Sequence, residues 1–427
     1  MKSKIIPIIS VVTLFALFFF SCDDSMYKEY KGNEPVYIAW EDLRTSVSTE
    51  QNVDLKNPGK IYFKDNYIFI VEELKGIHVF DNTDPSSPVK KTFVKIPGVV
   101  DISVSGYIMY ADSYVDLVVL DIQNVDNIHE VGRVKDIFPY TVPPTGNEFP
   151  TAYIDQEKGV VGEWDLKIIR EKIYNDPDPR PIYFYREDKF ISMANAAGAS
   201  SGVSGSGIGV GGSMARFGIK DKVLYTVDNS NMKIFDITVK TNPVKVSDFY
   251  PGWGIETMFL TNDHMFLGTT TGMLIYDITI PLAPKNRITF NHARSCDPVI
   301  VDDTLAYITL RTGTNCGGTQ NVLDVVNVKN LSAPSLVMTY ALTNPFGLGK
   351  DGDLLFICDG SSGLKVYDAS DPKKISNHLI YTYPNINAFD VIPIGNVLVL
   401  IGDDGLYQYD YSNVQSIRLL SKIEVKD

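Results

Sequence analysis

The chain has 427 residues, with 52 acidic and 39 basic side chains and a formal net charge of −13. This balance disfavours nucleic acid and anionic lipid as partners, because both attract positively charged surfaces. Glycine and proline recur throughout (32 and 23 residues), and no long stretch has helical periodicity. The composition therefore favours an all-β protein.

The first 22 residues have the layout of a secretory signal. Lys2 and Lys4 flank the start of an apolar run, residues 5–20, which is shorter than the roughly 20 residues of a membrane span. The run ends in Phe19-Phe20-Ser21-Cys22, which resembles a bacterial lipobox, although the Phe pair departs from the usual Leu-small-small pattern. We expect residues 1–21 to be a signal peptide and Cys22 to carry acyl chains. A plain secretory signal and an uncleaved anchor are the alternatives.

The residues after Cys22 suggest where the protein is located. Residues 22–54 are expected to form a lipidated tether and N-terminal segment, and the mature chain, without Lys2 and Lys4, has a net charge of −15. Asp23-Asp24 resembles a surface-export signal of some Gram-negative lineages. The sequence therefore predicts a lipid-anchored outer-membrane protein exposed at the cell surface, with a periplasm-facing position as the alternative.

A repeat of the form Leu-x-Val-Tyr-Asp sets the fold. Successive copies are 40, 115, 41, 50, 41 and 42 residues apart. The repeat strands end at Asp81, Asp121, Asp236, Asp277, Asn327, Asp368 and Asp410. A period near 41 residues with short strands is typical of a β-propeller blade of four strands.

The 115-residue step leaves room for one more unit. Residues 151–154 and 159–164 look like its first two strands, and Asp165 falls 44 residues after Asp121. The sequence therefore predicts eight blades, with seven as the alternative. The propeller is expected over residues 55–427, with a Gly/Ser-rich insertion at about 167–213.

The ring can close in two ways. The short strand at residues 36–40 could pair with the last blade, or residues 415–425 could already be that blade's fourth strand. The repeat aspartates are interpreted as turn residues on one common face, because an aspartate can accept a hydrogen bond from a backbone amide two residues on.

The repeat copies resemble the LVIVD-repeat proteins, which are predicted propellers common among surface lipoproteins of some Gram-negative bacteria. The resemblance covers about residues 55–425, and residues 211–217 and 296–316 strengthen it. It implies the propeller fold and a cell-envelope location. It implies no particular activity.

Long loops predict the binding face. Strands alternate in direction within a blade, so loops between second and third strands share one face, here the upper face, with loops between blades. The loops that are longer than the 41-residue unit requires lie on this upper face, at residues 138–147, 291–295 and 311–320. Binding residues concentrate on such loops. The candidate binding residues are His292, Arg294, Asp297, Arg311, Arg216 and Trp253.

Cysteine placement predicts a disulfide on the same face. Cys296 opens a first strand and Cys316 follows the adjacent antiparallel strand, so their ends meet. A metal–thiolate site would need further soft ligands. Cys358 is expected to be a buried free thiol, and His78, in a strand where other copies have Lys or Leu, to lie on the surface.

The sequence predicts no catalytic residue, cofactor or metal site. The favoured function is a cell-envelope lipoprotein that acts as a non-catalytic binding or scaffold propeller. Its partner could be an outer-membrane protein or transporter, a small molecule or a glycan. The alternative is a glycan-active or lyase-type propeller enzyme, which would use distant carboxylates.

Overall fold

The computed structural model describes residues 26–172, 184–185, 210–211, 215–291, 298–312, 320–384 and 386–426. The chain begins with strand β1 (Tyr27–Ile38), helix α1 (Trp40–Thr45) and strand β2 (Ser48–Glu50). Two antiparallel sheets follow, each supplying the four strands of one blade; the first sheet has two further strands, because β2 pairs with its last strand and a later short strand with its first. Blade 1 contains β3 (Pro58–Lys64), β4 (Tyr67–Glu72), β5 (Gly76–Asp81) and β6 (Val89–Lys95). Blade 2 contains β7 (Ile102–Ser105), β8 (Ile108–Ser113), β9 (Asp116–Asp121) and β10 (His129–Val134).

The described residues between blades 2 and 3 form no blade. They contain β11 (Thr141–Val142), a 3-10 turn (Gln156–Lys158), β12 (Val160–Lys172), β13 (Phe184–Tyr185) and β14 (Val210–Gly211). Strand β12 pairs antiparallel with β1, from Tyr27 opposite Lys172 to Ile38 opposite Val160, in a two-stranded sheet that we call the ribbon. Strands β11 and β13 pair in parallel, and β14 pairs with β3.

Five further blades complete the ring. Blade 3 contains β15 (Phe217–Lys220), β16 (Val223–Val227), β17 (Met232–Asp236) and β18 (Val244–Phe249). Blade 4 contains β19 (Ile255–Leu260), β20 (His264–Thr269), β21 (Gly272–Asp277) and β22 (Lys285–Asn291). Blade 5 contains β23 (Val299–Asp302), β24 (Leu305–Leu310), β25 (Val322–Asn327) and β26 (Ser335–Ala341). Blade 6 contains β27 (Leu348–Asp351), β28 (Leu354–Cys358), β29 (Leu364–Asp368) and β30 (Leu379–Tyr383), with 3-10 turns at Gly360–Ser362 and Ile375–His378. Blade 7 contains β31 (Ala388–Ile394), β32 (Val397–Gly402), β33 (Gly405–Asp410) and β34 (Arg418–Glu424).

The all-β propeller prediction is confirmed, and of the two predicted counts seven is correct. The first strand of each blade lies innermost and contacts the first strand of the next blade, and β3 of blade 1 contacts β32 of blade 7. The predicted eighth unit is absent because β12 takes β1 as its partner instead of a blade neighbour. Residues 151–154 make only an isolated bridge between Thr151 and Asn33.

The core lies between the blades. Central strands are covered on both faces by neighbouring sheets, so they are continuous apolar runs rather than alternating ones, as in β32. Buried apolar clusters join blades 1 and 2, blades 2 and 3, blades 3 and 4, blades 4 to 6, and blades 6, 7 and 1. The apolar contacts therefore run round the whole ring.

The ring closes without a shared strand, by side-chain contacts and by a hydrogen bond of 2.8 Å from the Lys426 amide to the Leu55 carbonyl. Blade 7 supplies its own fourth strand, β34, which confirms the second predicted mode of closure. Asn82 of blade 1 and Gln408 of blade 7, both buried, exchange amide hydrogen bonds of 2.8 and 2.7 Å. The Ser421 hydroxyl donates to the Pro85 carbonyl at 2.7 Å.

The repeat aspartates share one face, opposite the upper face, as predicted. Each pairs with the first residue of its blade's second strand, as Asp236 does with Val223. Each also accepts a hydrogen bond at Oδ1 from the amide two residues on, at 2.7 to 3.0 Å. The turn interpretation of these residues is confirmed, including Asn327, which makes the same bond in blade 5.

Candidate binding face

The upper mouth of the central channel is surrounded by one residue from each blade. Each of these residues lies four positions before the last residue of its blade's first strand, and we call the seven residues together the mouth ring. Its members are Lys60, Asp101, Arg216, Glu256, Pro298, Gly347 and Asp390. Five of the seven are charged. Charged side chains therefore concentrate at the upper end of the first strands.

Asp101 connects three blades at this mouth. Its Oδ2 accepts hydrogen bonds from Lys60 Nζ at 3.1 Å and from the Phe217 amide at 3.2 Å, and also from the Arg216 amide. Its Oδ1 accepts from the Ile102 amide at 2.8 Å. Because Asp101 and Lys60 are both buried, these bonds replace the hydration that the charges lose. The carboxylate therefore fastens blades 1, 2 and 3 to one another.

The end of the predicted insertion lies inside the channel. Strand β14 pairs with the inner edge of blade 1, with Val210 opposite Phe63 and Gly211 opposite Tyr62. The amides of Arg216 and Phe217, at the start of blade 3, bond to Asp101. Strand β14 therefore adds a short inner strand to blade 1.

Three of the predicted binding residues are described, and all three lie on the upper face. Arg216 belongs to the mouth ring, and its Nε donates to the Glu256 carbonyl at 3.4 Å. Trp253, on the neighbouring loop between blades 3 and 4, is 55% exposed.

Arg311 follows the second strand of blade 5 and is buried. Its guanidinium carbon lies 4.0 Å from the centre of the Phe346 ring, and burial lowers its pKa to about 10.

The remaining predicted site residues cannot be placed. His292, Arg294, Asp297, the Cys296–Cys316 pair and the lipidation site Cys22 lie outside the described residues. Cys358 is a buried free thiol, as predicted, and burial raises its pKa well above 9.0.

A second polar cluster on the upper face holds the N-terminal segment. The buried carboxylate of Asp116 accepts hydrogen bonds from Arg44 Nε and Arg133 Nη1, each at 3.1 Å, and from the Asp136 amide at 2.9 Å. Helix α1 also buries Leu43 against Tyr114. Sequence reasoning missed this cluster, because residues 22–54 were assigned to a tether and Arg44 lies 72 residues before Asp116.

His78 is buried, so its predicted surface position is wrong. It lies between Phe80 and Phe93, with ring centroids 6.5 and 4.7 Å away, and its Nε2 is 3.1 Å from Glu72 Oε2. Burial lowers the pKa of His78. The Glu72 pKa is also lowered, because hydrogen bonds from His78 and from the Lys56 and Asn57 amides outweigh the opposing effect of burial.

Comparison with known families follows the blade boundaries. The LVIVD repeat model matches residues 59–95 and 98–136, which are blade 1 and blade 2 with their flanking loops. Blades 1 and 2 are LVIVD repeats. The other five blades carry the same strand order and, apart from Asn327 in blade 5, the same turn aspartate.

Solved structures share the fold at low identity. A functionally unknown protein from Desulfotomaculum acetoxidans has a TM-score of 0.51 and 10% identity, over 84% of this chain and 95% of that one. The computationally designed Ika8 protein has a TM-score of 0.50 and 8% identity, over 87% and 88%. BamB from Moraxella catarrhalis has a TM-score of 0.45 and 9% identity, over 89% and 90%. No curated protein matches the sequence.

Metal-binding clusters and membrane-spanning helices are absent from the described residues. Within them, no group of three or more His, Cys, Asp or Glu side chains is arranged to hold a metal ion. Across the same described ranges, no helix has the length and apolar character of a membrane span.

Proposed function

We propose that the protein is a cell-envelope lipoprotein whose propeller binds a ligand or a protein partner on its upper face, without catalysis. One observation carries this proposal: the buried upper-face carboxylates hold the scaffold together. Asp101 and Asp116 bind cations and backbone amides as described above. Asp359 accepts from the Thr343 and Asn344 amides, at 3.0 and 2.7 Å, and from Lys365 Nζ.

The same observation separates the two predicted functions. A glycosidase uses two carboxyl groups that flank the bond to be cleaved, with room for substrate between them. Asp101, Asp116 and Asp359 are each enclosed by three or more donors from the protein itself. These groups serve a rigid face better than a reaction, so binding is the better-supported function.

Loop length supports the choice of face. The upper face carries the ribbon, helix α1 and the segment between blades 2 and 3, whereas the opposite face consists of short turns built on the repeat aspartates. A rigid ring with elaboration on one side is the usual design of a binding scaffold. The partner chemistry that we propose is an outer-membrane protein or transporter, with a small molecule or glycan as the other class.

Lipidation tests the cell-envelope part of this proposal. Cells that produce the wild-type protein should incorporate labelled fatty acid into it and retain it with membranes, and Cys22→Ala should abolish both. Protease added to intact cells should digest the protein if it faces outwards. Full protection would place it on the periplasmic side, and an unlabelled wild type would refute the anchor.

Photocrosslinking tests the binding face. A photoactivatable residue at Trp253 on the upper face should give discrete crosslinked species in cells. The matched control is Leu379, which is 45% exposed on the outer strand of blade 6. Crosslinking from position 379 alone would show that the partner binds the side of the ring.

A further inference from the structure

One side of the ribbon carries exposed apolar side chains among charged ones. Because side chains alternate along paired strands, Tyr27, Leu166 and Ile168 lie on the same side as Glu29, Lys31, Arg170 and Lys172. All three are exposed, and Ile168 is 70% exposed. We call this side, together with the exposed Met26 that precedes it, the tip face.

The opposite side of the ribbon packs inward. It carries Tyr30, Gly32 and Ile169, of which Gly32 and Ile169 are buried. A Cβ atom on Gly32 would lie 2.7 Å from the Pro150 carbonyl oxygen, so this side has no space for even one added carbon. The ribbon is thus held by this side and, on the other, by the buried Asn33, whose Nδ2 donates to the Phe149 carbonyl at 2.7 Å; Tyr27, Leu166 and Ile168 remain exposed.

Aromatic and basic groups accompany the apolar side chains. The Arg170 guanidinium lies 4.5 Å from the centre of the Tyr27 ring on the tip face. Side chains with an apolar body and a polar end suit the boundary between lipid headgroups and acyl chains. Net charge contributes little, since Lys28, Lys31, Arg170 and Lys172 are offset by Glu29, Glu171, Asp23 and Asp24.

The position of the tip in the chain points to one occupant. Tyr27 opens the ribbon only five residues after Cys22, and five extended residues span at most about 18 Å. The ribbon's other end is anchored on the upper face, through α1 and through Lys75 Nζ, which is 2.9 Å from Glu163 Oε1. A lipid on Cys22 would therefore hold the tip face within reach of the bilayer.

We propose that the tip face docks on the membrane surface and that the upper face is the membrane-proximal face of the propeller. This inference rests on the proposed lipid anchor. The ribbon, with twelve paired residues in β1, is about 37 Å long, so it acts as a stalk. The partner of the upper face then lies in or next to the membrane.

Tryptophan quenching tests the docking. Full-chain protein is mixed with phosphatidylcholine vesicles that contain lipid brominated near the headgroup end of its acyl chains. Ile168→Trp is compared with Ile280→Trp, a matched change at a 55% exposed isoleucine on the turn side of blade 4. We expect the added fluorescence to be lost at position 168 and kept at position 280. Leu166→Trp repeats the test at a second tip position.

The outcomes separate this inference from the lipid anchor. Suppose that the protein incorporates labelled fatty acid and binds vesicles. If the tryptophan at position 168 is then not quenched, or is quenched no more than the tryptophan at position 280, the docking is wrong and the lipid anchor stands. If the protein incorporates no fatty acid but the tryptophan at position 168 is quenched, the docking is supported and the lipid anchor is wrong. If the protein incorporates no fatty acid and neither tryptophan is quenched, both are wrong. Concentration-dependent shielding of position 168 from iodide without vesicles would identify a second copy as the occupant and overturn the docking.

Discussion

The aspartate that ends each repeat strand is a structural device that depends on one acceptor atom. Its Oδ1 accepts a hydrogen bond from the amide two residues on in six blades, and in blade 5 an asparagine does the same. The carboxylate charge is therefore secondary to the position of the oxygen. This distinction can be measured at Asp236.

Asp236→Ala should lower the free energy of unfolding, because the Thr238 amide loses its acceptor. Asp236→Asn should stay close to the wild type, as Asn327 indicates. Hydrogen bonds from Thr238 lower the Asp236 pKa below 3.8, so the aspartate's contribution is present at neutral pH and lost as the pH falls through the folded-state pKa. Chemical denaturation of the three proteins at pH 7 and pH 3 measures both effects, and equal losses for Ala and Asn would contradict the acceptor argument.

His78 should make the fold sensitive to mild acid. Burial keeps its pKa below the ordinary 6.5 in the folded protein, whereas the unfolded chain takes up a proton near that pH. The unfolded state then binds more protons, so the free energy of unfolding decreases as the pH falls below about 6.5. His78→Gln keeps a donor towards Glu72 and does not titrate. Denaturant titrations from pH 5 to 8 should show a flatter profile for this variant, and an unchanged slope would contradict the assignment.

Helix α1 and the ribbon form one attached element. Arg44 bonds to Asp116 and, at 2.8 Å, to Asp136. Arg44→Ala should cost about 1–3 kcal/mol locally, since hydrogen bonds to charged groups are involved. Hydrogen exchange should become faster in α1 and the ribbon and stay unchanged in blades 4 to 7. Arg418→Ala, which removes an exposed 3.0 Å pair with Asp410, is the control and should change little. Uniformly faster exchange would mean that the cluster supports the whole ring.

Strand periodicity could be read from the sequence, but strand partners could not. The apolar pattern at residues 159–164 correctly predicted a strand within β12, and the step from Asp121 to Asp165 fitted a blade. The partner is β1, more than 120 residues earlier. No local pattern specifies such a pairing, because the hydrogen bonds of a strand are the same whichever strand it meets.

For the candidate site, the sequence likewise predicted on which face residues lie but not which residues they contact. Strand alternation placed Arg216, Trp253 and Arg311 on the correct face. It could not predict that Arg311 lies under the surface beside Phe346, nor that Asp101 joins Lys60 to the amide of Arg216. Burial and charge pairing both depend on contacts between blades, which only the closed ring creates.

At the scale of the whole molecule, the contact between blades 1 and 7 is the one that closes the ring. Gln408→Leu should cost about 1–3 kcal/mol of unfolding free energy, because the buried Asn82 amide loses its partner. Adding Asn82→Leu should recover part of that loss, since no polar group is then left unpaired. Denaturant unfolding of the two single variants and the double variant measures the coupling. Strictly additive losses would contradict a direct interaction.

The manner of closure also has a consequence for biogenesis. A chain made from its N-terminus can complete each blade as it emerges, because every blade is continuous in sequence. Strand β1 stays unpaired until two whole blades and β12 have been synthesised. The apolar flank of blade 1 stays exposed until residues 388–426 have been synthesised. Exposed apolar flanks and unpaired strands are the surfaces that aggregate or recruit chaperones. We expect a folding chaperone to protect the first strand until β12 has emerged, and the flank of the first blade until the last forty residues have been made.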